Sequence, residues 1–385
     1  MTKNDDKRVP ALRFKGFNDD WAQRMLGKIA VIIMGQSPDG STYSKVPSTY
    51  ILVQGNADIK NGWVKPRLWS SQSTKEAQKG DIILTVRAPV GEVAKTNYDV
   101  VLGRGVAGIR GNDFIFHLLT LMNINNYWNK FSTGSTFESI NSNDIKKAIV
   151  NIPPQLEQGK IGKLLNTLNN LIALQQRKLQ QLKLLKKAML QDLFTDKNVP
   201  KLRFNGFDAN WIQCKLEKEA LLTMGQSPSG STYSDQPSTY ILVQGNADLK
   251  NGWVKPRIWT TQITKLAKKG DIIITVRAPA GKVGRTNFDV VLGRGVASIQ
   301  GNDFIFYLLS KMDMNKYWKK YAAGSTFESI NSNDIKNTRV HVPNLPEQNR
   351  IANLFLRLDD LIRFQQNKLN NLQKTKQFLL QNMFI

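Results

Sequence analysis

The chain contains an internal duplication, because the sequence pattern of residues 9–194 is repeated at residues 199–384 without insertion or deletion. Between residues 35–69 and 225–259, thirty of 35 pairs are identical. The five pairs that differ are Asp39/Ser229, Lys45/Asp235, Val46/Gln236, Ile59/Leu249 and Leu68/Ile258. Two equal modules on one chain can sit about a two-fold axis, as the subunits of a homodimer do. Such a molecule suits a target that is itself two-fold, and double-stranded DNA is one.

Charge narrows the class of partner. The 385 residues carry a formal net charge of +24, which favours a polyanion, either nucleic acid or an anionic membrane surface. No apolar run reaches membrane-spanning length and the first residues are polar, so we expect a cytoplasmic protein without a membrane partner. The single cysteine, Cys214, excludes an internal disulfide and a cysteine metal cluster.

The sequence of each half predicts a mixed α/β domain followed by one long helix. The whole chain is therefore expected to have an α+β fold of two tandem domains. Short β-rich runs at 50–53, 81–86 and 100–102 lie between turn residues, and 114–122 and 124–131 have helical patterns. We expect a sheet-rich domain with many antiparallel strands. The predicted boundaries are 1–154 and 196–344 for the two domains, and 155–195 and 345–385 for the two helices.

Both predicted helices have apolar residues at alternating three- and four-residue steps, which is typical of a coiled-coil seam. The seam residues of the first helix include Leu165, Leu168, Ile172, Leu179 and Leu182. Those of the second include Phe355, Leu358, Ile362, Leu369 and Leu372. Both seams are interrupted by a Gln and a Lys at matching positions. The simplest arrangement pairs the two helices with each other, either for dimerisation alone or as a spacer between the domains.

Enzyme chemistry has little support in the sequence. Neither histidine recurs, since His117 is matched by Tyr307 and His341 by Asn151. Residues 103–108 match the pattern GxGxxG, but no amphipathic helix follows and no acid lies about 20 residues on. The chain also lacks a GxxxxGK[ST] phosphate loop. We therefore expect no catalytic residue, no metal and no cofactor bound by this chain.

Polar residues suited to DNA occur in both halves. Arg and Lys reach guanine edges or phosphates, Asn and Gln can pair with adenine, and hydroxyls mostly contact the backbone. The candidates in the first half are Gln36, Ser37, Ser41, Tyr43, Lys65, Arg67, Arg87, Arg104, Ser135, Thr136 and Asn141. Their counterparts are Gln226, Ser227, Ser231, Tyr233, Lys255, Arg257, Arg277, Arg294, Ser325, Thr326 and Asn331. Structural alternatives are a helix cap for Asn141 and ion pairs for the arginines.

Three motifs resemble those of the DNA-specificity (S) subunit of Type I restriction–modification enzymes. The first is VPALRFKGF at 9–17 with Trp21, repeated as VPKLRFNGF at 199–207 with Trp211. The second is PPQLEQ at 153–158 with Ile161, repeated as PNLPEQ at 343–348 with Ile351. The third is the helix end KKAMLQ at 186–191, followed by Leu193-Phe194. The resemblance extends over essentially the whole chain.

The resemblance implies a non-catalytic subunit in which each domain recognises one half of a split DNA site. It implies that the long helices pack antiparallel as a spacer. The implied partners are two methyltransferase (M) subunits, which bind S-adenosylmethionine and methylate adenine N6, and restriction (R) subunits, which use ATP and Mg. Members of this family commonly carry two dissimilar domains. Since these two are nearly identical, we expect a palindromic split site.

Two other functions remain open from the sequence. A stand-alone sequence-specific DNA-binding protein or regulator would bind one split site tightly without a partner. A nucleic-acid enzyme with an unrecognised site would have to use acids present in both halves, such as Glu138 and Asp144. A purely structural coiled-coil adaptor is disfavoured by the duplicated domains.

Overall fold

A computed structural model describes residues 9–131, 139–322 and 329–385. The chain divides into two compact units, of which the first comprises 1–176 with 367–385 and the second comprises 177–366. Each unit therefore contains one sheet-rich domain together with part of both long helices. No helix in the described ranges combines the length and the apolar character needed to cross a bilayer.

The helices include two long ones that end the two halves of the repeat, as the sequence predicts. Those of the first half are α1 (Leu26–Ile29), α2 (Asp113–Ile124), α3 (Ser142–Lys146) and α4 (Gln155–Leu193). Those of the second half are α5 (Asp303–Met314), α6 (Lys319–Ala322), α7 (Ser332–Lys336) and α8 (Leu345–Asn382). In the first half, residues 127–131 form a 3-10 turn instead of the second helix that the pattern predicts.

The first domain contains thirteen described strands in three sheets. They are β1 (Ala22–Met25), β2 (Val31–Met34), β3 (Tyr43–Ser44), β4 (Tyr50–Val53), β5 (Ile59–Lys60), β6 (Trp63–Val64), β7 (Leu68–Ser70), β8 (Glu76–Ala77), β9 (Ile82–Thr85), β10 (Val93–Lys95), β11 (Val100–Leu102), β12 (Val106–Arg110) and β13 (Ile149–Ile152). A six-stranded sheet has the order β2-β12-β9-β10-β6-β5, and a five-stranded sheet has the order β3-β7-β4-β11-β8. β1 and β13 form a third, antiparallel pair. Most pairings are antiparallel, and the exceptions are β4 with β11 and β6 with β10.

The second domain repeats this topology strand for strand. Its strands are β14 (Ile212–Lys215), β15 (Leu221–Met224), β16 (Tyr233–Ser234), β17 (Tyr240–Val243), β18 (Leu249–Lys250), β19 (Trp253–Val254), β20 (Ile258–Thr260), β21 (Leu266–Ala267), β22 (Ile272–Thr275), β23 (Val283–Arg285), β24 (Val290–Leu292), β25 (Val296–Gln300) and β26 (Arg339–Val342). The sheets have the orders β15-β25-β22-β23-β19-β18, β16-β20-β17-β24-β21 and β14-β26. The duplication in sequence is therefore a duplication of fold.

An aromatic cluster joins each domain to the long helices within its own unit. In the first unit, Trp21 lies edge-on to Phe114 of α2 at 5.6 Å, and Phe114 stacks on Phe384 at 5.0 Å. The same core contains Leu165 from the start of α4 and Leu380 from the end of α8. Because the start of one helix and the end of the other meet the same core, the two helices run antiparallel there.

The second unit has the equivalent cluster. Trp211 lies 5.7 Å from Phe304 of α5, which lies 5.0 Å from Phe194 at the end of α4. Phe355 from the start of α8 completes it. Along both long helices, the ten predicted seam residues are buried or half-buried. Other apolar residues of the same helices, including Leu174 and Phe364, are exposed.

Candidate DNA-binding site

Three backbone segments of the first unit come into direct contact where their strands end. The segments follow β2, follow β4, and connect β11 to β12. A Cβ added to Gly35 would lie 2.1 Å from the carbonyl oxygen of Gly103, and one added to Gly105 would lie 2.1 Å from that of Gln54. Only glycine permits such an approach. The glycines therefore place the neighbouring side chains of Ser37, Gln54 and Arg104 close together.

These segments line a cleft of about 420 Å3 in the first unit. The lining residues are Ser37, Gln54, Gly55, Arg87, Ala88, Arg104 and Gly105. The side chains of Arg87 and Arg104 are exposed, and neither has an acidic partner among the residues that the structure describes. Two unpaired guanidinium groups in a polar cleft suit an anionic ligand with flat hydrogen-bonding edges.

Arg87 lies on a turn that its neighbours hold in place. The buried Thr85 hydroxyl donates to the carbonyl of Pro89 at 2.7 Å and accepts the N–H of Glu92 at 2.9 Å. On the other side, the N–H of Ile140 donates to the carbonyl of Val86 at 3.0 Å. The backbone under the Arg87 side chain is thus fixed, while the guanidinium is exposed.

Arg104 is held in the same way, through its backbone. Its N–H donates to the hydroxyl of Ser37 at 3.0 Å. Gln36, the adjacent candidate, has an exposed side chain and a backbone N–H that donates to Leu102 at 2.8 Å. Ser37, Arg87 and Arg104 are therefore the predicted residues that the fold brings to one cleft, and Gln36 lies beside them.

Arg67 has a different role. Its Nε donates to Asp58 at 3.0 Å, and Asp58 is buried. The same carboxylate accepts the N–H groups of Gln54 at 2.7 Å and Gly55 at 3.2 Å. The structural alternative considered for the arginines thus applies to Arg67. Its ion pair supports the loop that carries Gln54, a cleft residue that the sequence reasoning missed although it recurs as Gln244 at the end of a predicted strand.

The remaining candidates of the first unit lie outside the cleft lining. The Ser41 N–H donates to Asp39 at 2.9 Å, and the Tyr43 hydroxyl donates to the carbonyl of Pro38 at 3.2 Å. Lys65 is exposed. Asn141 caps α3 by accepting the N–H of Asn143 at 2.8 Å, so its side chain serves the helix terminus. The candidates Ser135 and Thr136 lie outside the described residues.

The second unit repeats these arrangements. The Arg294 N–H donates to the hydroxyl of Ser227 at 3.2 Å, and Arg257 pairs with the buried Asp248 at 3.0 Å. A Cβ on Gly295 would lie 2.0 Å from the carbonyl oxygen of Gln244. Gln226, Ser231, Lys255, Arg277 and Arg294 are exposed, Tyr233 donates to Pro228, and Asn331 caps α7. Ser325 and Thr326 lie outside the described residues.

Of the residues that a nucleic-acid enzyme would use, His117 and Asp144 have structural contacts in this fold. His117 is buried and lies 2.9 Å from Asn166, and burial lowers its pKa to about 4. Burial also raises the pKa of the Cys214 thiol to about 11. Asp144 closes the capping box of α3, and Glu138 lies outside the described residues. Within the described ranges, no three His, Cys, Asp or Glu side chains are grouped as metal ligands.

Comparison with known proteins identifies a family that this chain matches. Residues 18–184 and 223–374 match the family model of the Type I restriction modification DNA specificity domain. A protein of Methanocaldococcus jannaschii that bears the name of the MjaX type I restriction enzyme specificity subunit is 31% identical over 255 residues. That match covers 63% of this chain and 60% of the relative, so the chain spans well under two thirds of the relative's length.

Two solved structures share the fold. The Type I restriction–modification system S subunit from M. genitalium has a TM-score of 0.66 at 13% identity, covering 98% of this chain and 99% of that one. A chain from a type I restriction–modification system studied for its assembly has a TM-score of 0.58 at 24% identity, covering 94% and 97%. Because the family model matches both halves of the repeat, the chain belongs to the Type I restriction–modification DNA-specificity family.

Proposed function

We propose that this chain is the DNA-recognition subunit of a Type I restriction–modification complex and that each unit binds one half of a split DNA site. The observation that carries the proposal is the cleft around Arg87 and Arg104, in which neither arginine has an acidic partner among the described residues and whose lining residues recur 190 positions later. Family membership and a net charge of +24 support the same conclusion.

The two kinds of contact would do different work. Phosphate contacts by exposed lysines and arginines give affinity that falls steeply with salt, because each one releases a counterion. Contacts to base edges discriminate, and a good bidentate pair is worth about 1–3 kcal/mol against the wrong base. The fixed backbones beneath Arg87 and Arg104 favour base or ordered phosphate contacts over a diffuse attraction.

The identity of the cleft residues in the two units supports a palindromic target. Every lining residue of the first cleft has an identical counterpart at the position 190 residues later. If the units bind DNA in opposite orientations, identical clefts recognise the same bases on opposite strands. The target is then two inverted half-sites around an unspecified spacer, and the long helices act as the spacer of the protein.

The chemistry would belong to partner subunits. On this proposal, two M subunits carry S-adenosylmethionine and methylate adenine N6, and R subunits use ATP and Mg, all of them in the cytoplasm. The exposed apolar residues Leu171 and Leu174 on α4, and their counterparts Leu361 and Phe364 on α8, fit a protein partner. With Leu174→Glu or Phe364→Glu, we expect the complex to lose one bound M subunit while the chain stays folded. Mass photometry of the purified assembly measures this loss.

Methylation mapping tests the function. DNA from cells that express this chain with its neighbouring adenine methyltransferase is compared with DNA from cells that express either alone. We expect N6-methyladenine at one palindromic split motif only in the co-expressing cells. An asymmetric motif would contradict identical half-sites, and tight specific binding by the chain alone without directed methylation would favour a stand-alone DNA-binding protein.

A charge-matched variant pair ties the result to the cleft. Arg87→Ala should abolish most motif-directed methylation, because it removes one guanidinium from the first cleft. The control is Arg24→Ala, since Arg24 is exposed on β1 and its counterpart is Cys214. Equal losses in the cleft variant and the control would mean that net charge, and not the cleft, accounts for recognition.

A further inference from the structure

The Gln54 side chain is the one lining group of the first cleft that carries a planar donor and acceptor pair. It is half-buried, and its Cγ packs over Gly103, where an added Cβ would lie 3.0 Å away. Among the described residues, its side-chain amide makes no hydrogen bond, unlike that of Gln72, which accepts the N–H of Asp39 at 2.8 Å. No described residue therefore uses the bonding capacity of this amide.

The backbone beneath this amide is fixed from three sides. Strand β4 ends at Val53, whose carbonyl accepts the N–H of Gly103 at 2.7 Å. The Gln54 N–H donates to Asp58 at 2.7 Å, and the Gln54 carbonyl lies against Gly105. An unpaired functional group on a rigid backbone loses little entropy when it binds, which is how recognition residues are typically supported.

We propose that Gln54 in the first unit and Gln244 in the second each recognise one adenine of their half-site through the side-chain amide. The inference rests on the proposed DNA-recognition function and adds a base identity to it. A glutamine can donate to adenine N7 and accept from adenine N6 in the major groove, and this pairing distinguishes A·T from the other base pairs. Arg87 and Arg104 carry donors only, so they pair with guanine or phosphate oxygens.

Asp58 acts on the same base as a positioning residue. It does not line the cleft, but it joins the Gln54 backbone to Arg67 through one buried carboxylate. The second unit has the same arrangement, in which Asp248 accepts the Gln244 N–H at 2.7 Å and the Arg257 Nε at 3.0 Å. The buried carboxylate thus fixes the height and direction from which the amide enters the cleft.

The test is selection of methylated sites from a library of random duplexes by the full complex of this chain with its methyltransferase. Gln54→Ala should lower the preference for adenine at one base pair of one half-site by roughly 5- to 150-fold. Gln54→Glu should shift that position toward cytosine, because a carboxylate only accepts and can take the cytosine N4 donor. Gln244→Ala should produce the same change in the other half-site.

Each molecule contains its own control, because the unaltered unit reports whether the protein is folded and active. Unchanged preferences at every position with Gln54→Ala, or a uniform loss at all positions, would overturn the inference and leave the proposed function standing. If the unaltered complex selects no motif at all, the proposed function itself has failed. Asp58→Asn should weaken the same base position as Gln54→Ala, whereas a purely structural role would lower thermal stability with all preferences intact.

Discussion

The two units agree at the cleft and differ where the domain meets the long helices. In the first unit, His117 of α2 pairs with Asn166 at 2.9 Å, and the nearby Lys376 has a pKa lowered by burial. In the second unit, Tyr307 donates to Asp359 at 2.8 Å, and the same carboxylate also accepts the Lys186 ammonium group. A neutral pair beside a half-buried cation in one unit is replaced by a tyrosine, a carboxylate and a lysine in the other.

This contrast separates two kinds of constraint. A buried polar side chain needs a hydrogen-bond partner within the protein, and different pairs of side chains can meet that need at the same junction. An exposed arginine makes few contacts within its own fold, and we expect its identity in both copies to reflect a shared ligand. On the proposed function, DNA constrains the cleft residues, and packing within each unit constrains the junction residues.

The largest expected effect concerns the ion pair that fastens each domain to its helix. Arg203 donates to both oxygens of the buried Glu347 at 2.8 Å, and Trp211 adds a bond at 3.3 Å. Glu347→Ala should lower the free energy of unfolding by about 3–5 kcal/mol, because it leaves the half-buried Arg203 guanidinium without its carboxylate partner. Urea unfolding followed by tryptophan fluorescence measures this cost.

The first unit supplies the comparison for that variant. Arg13 pairs with Glu157 at 2.7 and 2.9 Å, but among the described residues the Trp21 indole N–H has no acceptor. Glu157→Ala should therefore cost about 1 kcal/mol less than Glu347→Ala, the value of one hydrogen bond. Equal costs would show that the tryptophan bond adds no stability.

Acid should destabilise the first unit more than the second. Burial, opposed by the bond to Asn166, lowers the pKa of His117 from 6.5 to about 4, with Lys376 and Lys95 adding repulsion and Asp113 attraction. Because the folded pKa lies below the unfolded one, the unfolded state takes up the proton first as the pH falls. The free energy of unfolding should drop by about 3 kcal/mol between pH 6.5 and pH 4 and should change little further below pH 4.

His117→Gln tests this expectation, because the amide can keep the bond to Asn166 without titrating. The variant should lose that part of the acid sensitivity in urea titrations at pH 7 and pH 4.5. Tyr307→Phe serves as the matched control in the second unit, since burial raises the pKa of the tyrosine and it stays neutral across this range. An identical pH dependence of the His117 variant and the unaltered chain would contradict the expectation.

Cleft variants should have equal effects in the two units. Arg104→Ala and Arg294→Ala should each weaken binding of the complex to its target duplex about tenfold and reduce the salt slope by about one. Fluorescence anisotropy at several KCl concentrations gives both quantities. A large difference between the two variants would mean that the identical clefts meet different half-sites, and the palindromic target would then be wrong.

The smallest effect should come from the loop in which the copies differ. Lys45 and Val46 are exposed beside β3, and the second copy has Asp235 and Gln236 there. Exchanging Lys45-Val46 for Asp-Gln makes this loop identical in the two units. If the loop contacts bases, methylation mapping should show a change at a single base pair; an unchanged motif would show that the loop lies outside the recognised bases.

Much of the fold follows from local pattern. The runs at 50–53, 81–86 and 100–102 correspond to β4, β9 and β11, because short continuous apolar runs between turn signals are typical of buried strands. The periodicity of the long helices was equally clear, since their seams extend over several heptads. The 3-10 turn at Tyr127–Phe131 was not predicted, because five helical residues carry too little pattern to distinguish the two helix geometries.

The sequence by itself determined the duplication, the order of the elements, the long helices and the arginines suited to DNA. Each of these features follows from residue spacing or from charge. Only the tertiary structure decided which polar residues act together. Arg67 and Arg87 look equivalent in sequence, yet Arg67 pairs with Asp58, whereas Arg87 makes no ion pair within the described ranges. Gln54 joins the cleft because Gly103 and Gly105 let separate strands touch, and contacts between segments some 50 residues apart are not encoded in any local pattern.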